Sequence, residues 1–235
     1  MTEMRSRKVL TIVATGIVGA AGLLVAPLTF AAQAPGNACP DVEVIGARGT
    51  TERPGLGVLL APLAQRLTRE LPETVRSTAV DYPASFNYTA SVQQGVTSLA
   101  ADVRETAAAC ADTKFVLTGY SQGANVVGDA LAGRSVRGRA VAQPAIPAAL
   151  ADRVVAVLLF GDPTFTAGED FNVGDGTRSG VFPRGAGGLD AFADRTQSFC
   201  NRNDRFCQGG TSLAAHLDYD KFLDDATDFV GRQLR

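Results

Sequence analysis

The chain has 235 residues, with 22 basic and 24 acidic side chains and a net charge of −2 at pH 7. No basic block stands out from that balance, which excludes a nucleic-acid partner held through its phosphates. The length suits one domain once the N-terminus is set aside.

Arg5, Arg7 and Lys8 lead into an uncharged apolar stretch from Val9 to Phe30, followed by Ala31, Ala32 and Ala34. This is the layout of a secretory signal peptide over residues 1–34, with cleavage after Ala31 or Ala34. Residues 35–235 are then a single exported domain. The apolar run is also long enough to span a bilayer, and an uncleaved anchor is the competing outcome. Four cysteines in an exported chain form an even set with three possible connectivities. Cys200 and Cys207 are close enough for a local loop, which leaves Cys39 with Cys110. A metal site fits less well, because no C-x-x-C pair exists and the one histidine, His216, is remote in sequence.

From Cys39 onward, short apolar runs alternate with helical patterns. Val42–Ala47 reads as a strand, and 57–71 as a helix carrying Leu59, Leu60, Leu63 and Leu67. Residues 78–82 read as a second strand stopped by Pro83, and 91–110 as an alanine-rich helix. The strand Lys114–Thr118 precedes a helix over about 122–131. Val154–Phe160 is the most apolar run and predicts a strand buried on both faces. Residues 163–194 are glycine-rich and irregular, 196–199 predict a last edge strand, and 220–234 a closing helix. Such alternation predicts an α/β domain with a mainly parallel, five-stranded sheet between helical layers, and no room for a large lid.

Gly119-Tyr120-Ser121-Gln122-Gly123 matches G-x-S-x-G between a strand and a helix. That setting makes a nucleophile elbow, with the serine hydroxyl exposed at the top of a sheet. An acyl-transfer site also needs a base, an orienting acid and oxyanion donors. His216, C-terminal to Ser121, is the single candidate base. Two residues compete for the acid: Asp162 follows the apolar strand directly, and Asp204 lies between Cys200 and Cys207. The residues alone leave both open.

Taken together, these motifs resemble the cutinase family of secreted serine esterases, in its bacterial branch. Gly119–Ala124 matches the family's elbow Gly-Tyr-Ser-Gln-Gly-Ala, and Ala47-Arg48-Gly49-Thr50 matches its first-strand ending, with threonine where serine is common. Cys200–Cys207 matches its short acid-bearing disulfide loop, and His216 follows at the family's spacing. The resemblance covers about 39–230. It implies a cutinase-like α/β-hydrolase three-layer sandwich and the catalytic set Ser121, Asp204 and His216, with Asp162 structural. It implies oxyanion donors at the backbone of Thr50 and Gln122, and no metal or organic cofactor. Substrate contacts are expected at Tyr82, Phe86, Leu213 and Leu217. The expected activity is hydrolysis of esters with an apolar acyl chain, lipid or polyester, by a secreted monomer with possible contact to the envelope or a lipid surface. An envelope-lipid acyltransferase using the same acyl-enzyme is the alternative, and a non-catalytic envelope binding protein a weaker one.

Overall fold

The computed structural model describes residues 39–136 and 139–235. The expected signal peptide, with Ala31 and Ala34, lies outside the described residues. The elements run β1 (Val42–Ala47), α1 (Gly57–Glu70), β2 (Val75–Ala79), α2 (Tyr88–Ala109), β3 (Lys114–Tyr120) and α3 (Gln122–Ala132). A short pair, β4 (Arg134–Val136) and β5 (Arg139–Ala142), precedes α4 (Ala148–Ala151) and β6 (Val154–Phe160). Then come β7 (Asn172–Val173), β8 (Thr196–Phe199), α5 (Leu213–His216) and α6 (Leu223–Gln233).

Six strands form the main sheet in the order β2-β1-β3-β6-β8-β7, every neighbouring pair parallel. Parallel neighbours cannot be joined by tight hairpins, so crossovers carry the chain over one face or the other. The side chains sort accordingly. Ile45, Leu117, Val157 and Leu159 pack with α2 and α3 through Leu99, Val103, Val126 and Val127. Val44, Val116, Leu158 and Phe160 pack on the other face with Leu60, Leu63, Leu67, Phe229 and Val230 of α1 and α6. Alternate residues of each strand thus feed two cores, which is why β6 reads as an unbroken apolar run. The three-layer sandwich is as expected.

Two details differ from the sequence reading. The sheet has six strands rather than five, because the two residues of β7 pair with Ser198 and Phe199 and take the edge from β8. Strand β2 lies at 75–79 rather than 78–82. It is the other edge, with Arg76 and Ser77 exposed, so its pairing with β1 is set by backbone hydrogen bonds and leaves no apolar alternation to read.

Candidate active site

The carboxyl ends of β3, β6 and β8 bring together Ser121, Gly161 and the Cys200–Cys207 ring, the end where open parallel sheets build their sites. Ser121 sits at φ 54°, ψ −118°, a strained conformation for a residue with a Cβ. Its flanks show why they are glycine. A Cβ on Gly119 would lie 2.3 Å from the Gly123 carbonyl oxygen, and one on Gly123 would lie 1.8 Å from that of Ala47. The turn is therefore pressed against the end of β1, close to the loop that carries Thr50.

His216 closes the one-turn α5, whose start is capped by the Ser212 hydroxyl accepting the Ala215 N–H at 3.0 Å. Its Nε2 lies 2.9 Å from Ser121 Oγ, and its Nδ1 lies 2.8 Å from Asp204 Oδ2. The ring is boxed on three sides. Tyr120 stacks on it with centroids 5.3 Å apart, and Phe206 meets it edge-on at 4.5 Å. Gly161, at φ 58°, clears the third side, where a Cβ would come within 2.9 Å of the imidazole Cε1. The Tyr120 hydroxyl also donates to the His216 carbonyl at 2.8 Å, fixing backbone as well as ring.

Asp204 has no exposed surface. Its Oδ1 accepts the N–H groups of Phe206 at 2.6 Å and Cys207 at 2.9 Å; its Oδ2 accepts from His216 and, at 2.7 Å, from the Tyr219 hydroxyl. Burial works against its charge, but the bond and charge of His216, the Phe206 amide and Tyr219 outweigh it and hold the carboxyl below its usual range. The disulfide Cys200–Cys207 closes the ring around it, and Cys39–Cys110 joins the start of the domain to the end of α2. Both pairings match the sequence reading. Asp162 sits elsewhere: its carboxylate accepts from the Thr164 N–H and hydroxyl, and Thr164 in turn accepts from buried Arg184.

On the opposite side of Ser121, Gln122 opens α3, whose first N–H groups have no acceptor within the helix. Its side chain is engaged: Oε1 accepts from Ser91 at 2.8 Å and Nε2 donates to the Ser85 carbonyl at 3.0 Å. Thr50 follows Arg48, which is buried and donates to the carbonyls of Glu52 at 2.9 Å, Val80 at 3.4 Å and Tyr82 at 2.5 Å. Thr51 and Ala84 both have positive φ, at 67° and 48°, and the Thr51 N–H donates to the Ala84 carbonyl at 2.7 Å.

The expected substrate contacts divide. Phe86, Leu213 and Leu217 are exposed at 85%, 49% and 65%, unusual for large apolar side chains. Tyr82 is a correction: its ring lies in the core and its hydroxyl donates to the Arg48 carbonyl, so it braces the loop instead of facing solvent. Sequence reasoning did not find Val181 and Phe182, also exposed, although the Val181 N–H bonds the carbonyl of Phe206 beside the histidine. They lie in the irregular 163–194 segment, where no periodicity marks a wall. Gly161 and Tyr219 were missed too, since neither belongs to a motif.

The family model for Cutinase matches residues 38–234. The chain belongs to the cutinase family. A cutinase of Kineococcus radiotolerans is 42% identical over 184 residues, covering 77% of this chain and 56% of that protein. This chain thus spans little more than half of that relative. The phospholipase Culp4 of Mycobacterium tuberculosis is 34% identical over 214 residues, covering 91% of this chain and 86% of its own. Among solved structures, the catalytic core of an acetyl xylan esterase from Trichoderma reesei superposes with a TM-score of 0.77 at 31% identity, covering 83% of this chain and all of that one. The fold is that of the α/β-hydrolases, and family membership makes the chain a serine carboxylic-ester hydrolase.

Proposed function

We propose that this cutinase-family protein hydrolyses esters with apolar acyl chains through Ser121, His216 and Asp204. The observation that carries the reading is the unbroken chain of hydrogen bonds from Ser121 Oγ through the imidazole to Asp204. His216 Nε2 takes the Ser121 proton as Oγ attacks the ester carbonyl, and Asp204 holds the tautomer and stabilises the imidazolium. The backbone N–H groups of Gln122 and Thr50 receive the oxyanion, helped at Gln122 by the positive end of α3. The imidazolium returns its proton to the leaving alcohol, leaving an acyl-Ser121. Water, deprotonated by the same nitrogen, then releases the acid.

Exposed Phe86, Leu213 and Leu217 support an apolar acyl partner, since two flank the base and Phe86 follows the carbonyl held by Gln122. Lipid and polyester esters both fit that rim. Two disulfides support an exported, oxidising setting, and the protein acts as a secreted monomer at or near a lipid surface.

Labelling with a fluorophosphonate probe tests this. Modification at Ser121 in the wild type, lost in Ser121→Ala and in His216→Ala, is the expected result. Labelling that persists in folded His216→Ala would remove the histidine from the mechanism. Product analysis with an added alcohol then separates hydrolysis from acyl transfer.

A further inference from the structure

We infer that Tyr219 is a positioning residue that sets the strength of the Asp204–His216 bond, an inference that rests on the triad reading above. Its hydroxyl lies 2.7 Å from Asp204 Oδ2, the same oxygen that faces His216 Nδ1. It also receives the Asn201 N–H at 3.2 Å and lies 3.2 Å from Cys207 Sγ. These neighbours fix the direction of its proton. The disulfide sulfur has no hydrogen and the ionised carboxylate has none to give, so the phenol donates to Oδ2 while Asn201 supplies its incoming bond.

Two donors on one oxygen have opposing effects. They immobilise the carboxylate, whose other oxygen is already pinned by two amides, and so aim the imidazole at Ser121. They also divide the charge of Oδ2, so the phenol weakens the pull that Asp204 exerts on the imidazolium. Tyr219 is suited to a fixed role, being almost wholly buried with its ring edge-on to Tyr120 and Phe160. Burial, then the nearby charge of Asp204, pushes its own ionisation upward, which keeps it a donor. The titratable groups facing the pair are Tyr120 from β3 and His216 from α5, with the charge of Glu52 also acting on Tyr120.

Tyr219→Phe keeps the ring and removes the donor. The expected kinetic result is a roughly tenfold lower kcat on a soluble short-chain ester with KM unchanged, the scale of one hydrogen bond to a charged group. The decisive readout is the imidazole. The chain has one histidine, so its ring NMR signals need no assignment. In Tyr219→Phe the titration midpoint, and with it the acid limb of kcat/KM, should move up by roughly half a unit. Site-specific 3-fluorotyrosine at position 219, a stronger donor of nearly the same size, should move both down, and it serves if Tyr219→Phe does not fold. Phe222→Leu, which loosens packing on the Tyr219 ring, should lower thermal stability and leave the midpoint in place. Folded Tyr219→Phe or fluorotyrosine protein with an unmoved midpoint would overturn the inference. Failure of the triad reading looks different: Ser121→Ala or His216→Ala would retain activity.

Discussion

The two halves of the site are held by different means. On the side proposed for acid–base chemistry, a covalent ring from Cys200 to Cys207 surrounds a carboxylate with four donors, and aromatic rings box the histidine. On the side proposed to hold the oxyanion, no disulfide closes a loop among the described residues. A buried arginine gathers three carbonyls, and positive-φ residues at Thr51 and Ala84 bond to one another. The difference suits the chemistry proposed for each side. A base must keep its aim while its charge changes, so its partner is fixed by two amides, a phenol and a disulfide ring together. An oxyanion hole presents backbone N–H groups, so backbone is what must be immobilised, and guanidinium bonds to carbonyls do that.

The largest separation of the two halves should come from the disulfides. Cys39 is exposed, whereas Cys200 and Cys207 are fully buried. Removing Cys39–Cys110, 71 residues apart in sequence, should lower stability by about 4 kcal/mol on the chain-entropy model, while kcat stays near wild type. Removing Cys200–Cys207, only 7 apart, should cost about 2.5 kcal/mol on the same model yet reduce kcat by roughly a hundredfold or more, because Asp204 loses its frame. Urea unfolding and ester hydrolysis on the two double-serine variants check this. Equal activity losses would dissolve the distinction between a stabilising bridge and a positioning one.

Arg48→Met is the matching perturbation of the oxyanion side. It strands carbonyls of Glu52, Val80 and Tyr82 around a retained apolar stem, at about 1–3 kcal/mol for each buried group left unpaired. The expected kinetic effect is a fall in kcat of roughly ten- to a hundredfold, smaller than loss of an oxyanion donor outright. Because the acid–base side is untouched, the pH profile should keep its shape. Affinity for a phosphonate transition-state analogue should fall in step with kcat/KM, and a wild-type affinity would show that Arg48 supports the fold alone.

What the sequence disclosed follows the same division. The proposed nucleophile and base, Ser121 and His216, were legible because the elbow demands glycines and the chain holds one histidine. The central strands were legible because burial on two faces leaves uninterrupted apolar runs. Asp204 was not separable from Asp162 by local reasoning, since both follow strands; the family resemblance pointed to Asp204, and the fold gives it the histidine and Asp162 the Thr164 hydroxyl. Tyr219 and Gly161 act through distances across the chain, and no spacing in the sequence records that a Cβ at 161 would meet an imidazole 55 residues later. Tyr82 misled because an aromatic after a strand end serves equally as a cleft wall or a brace.

The smallest expected effect contrasts a carboxylate of the site with one outside it. Asp204 is held below its usual range, so its contribution to stability is fully present above about pH 4, the unfolded carboxylate's value, and is lost as pH falls through the lower folded one. Asp102 on α2 runs the other way. Burial, then Glu105, Glu43 and Asp81, pushes it up to about 6, and its buried Oδ2 has no hydrogen-bond partner among the described residues. Its raised value means the folded state gives up stability as pH rises from about 4 to 6. Asp204→Asn should therefore be less stable than wild type at pH 7, the gap closing on acidification below pH 4. Asp102→Asn should be slightly more stable at pH 7, by at most about 1 kcal/mol since the group is part-exposed, with its advantage gone by pH 4. Thermal melts of the three proteins across pH 3–8 read both slopes. If Asp102→Asn tracks wild type throughout, the charge repulsion at that helix is screened by water, and Asp204 is the one of the two whose charge the fold registers.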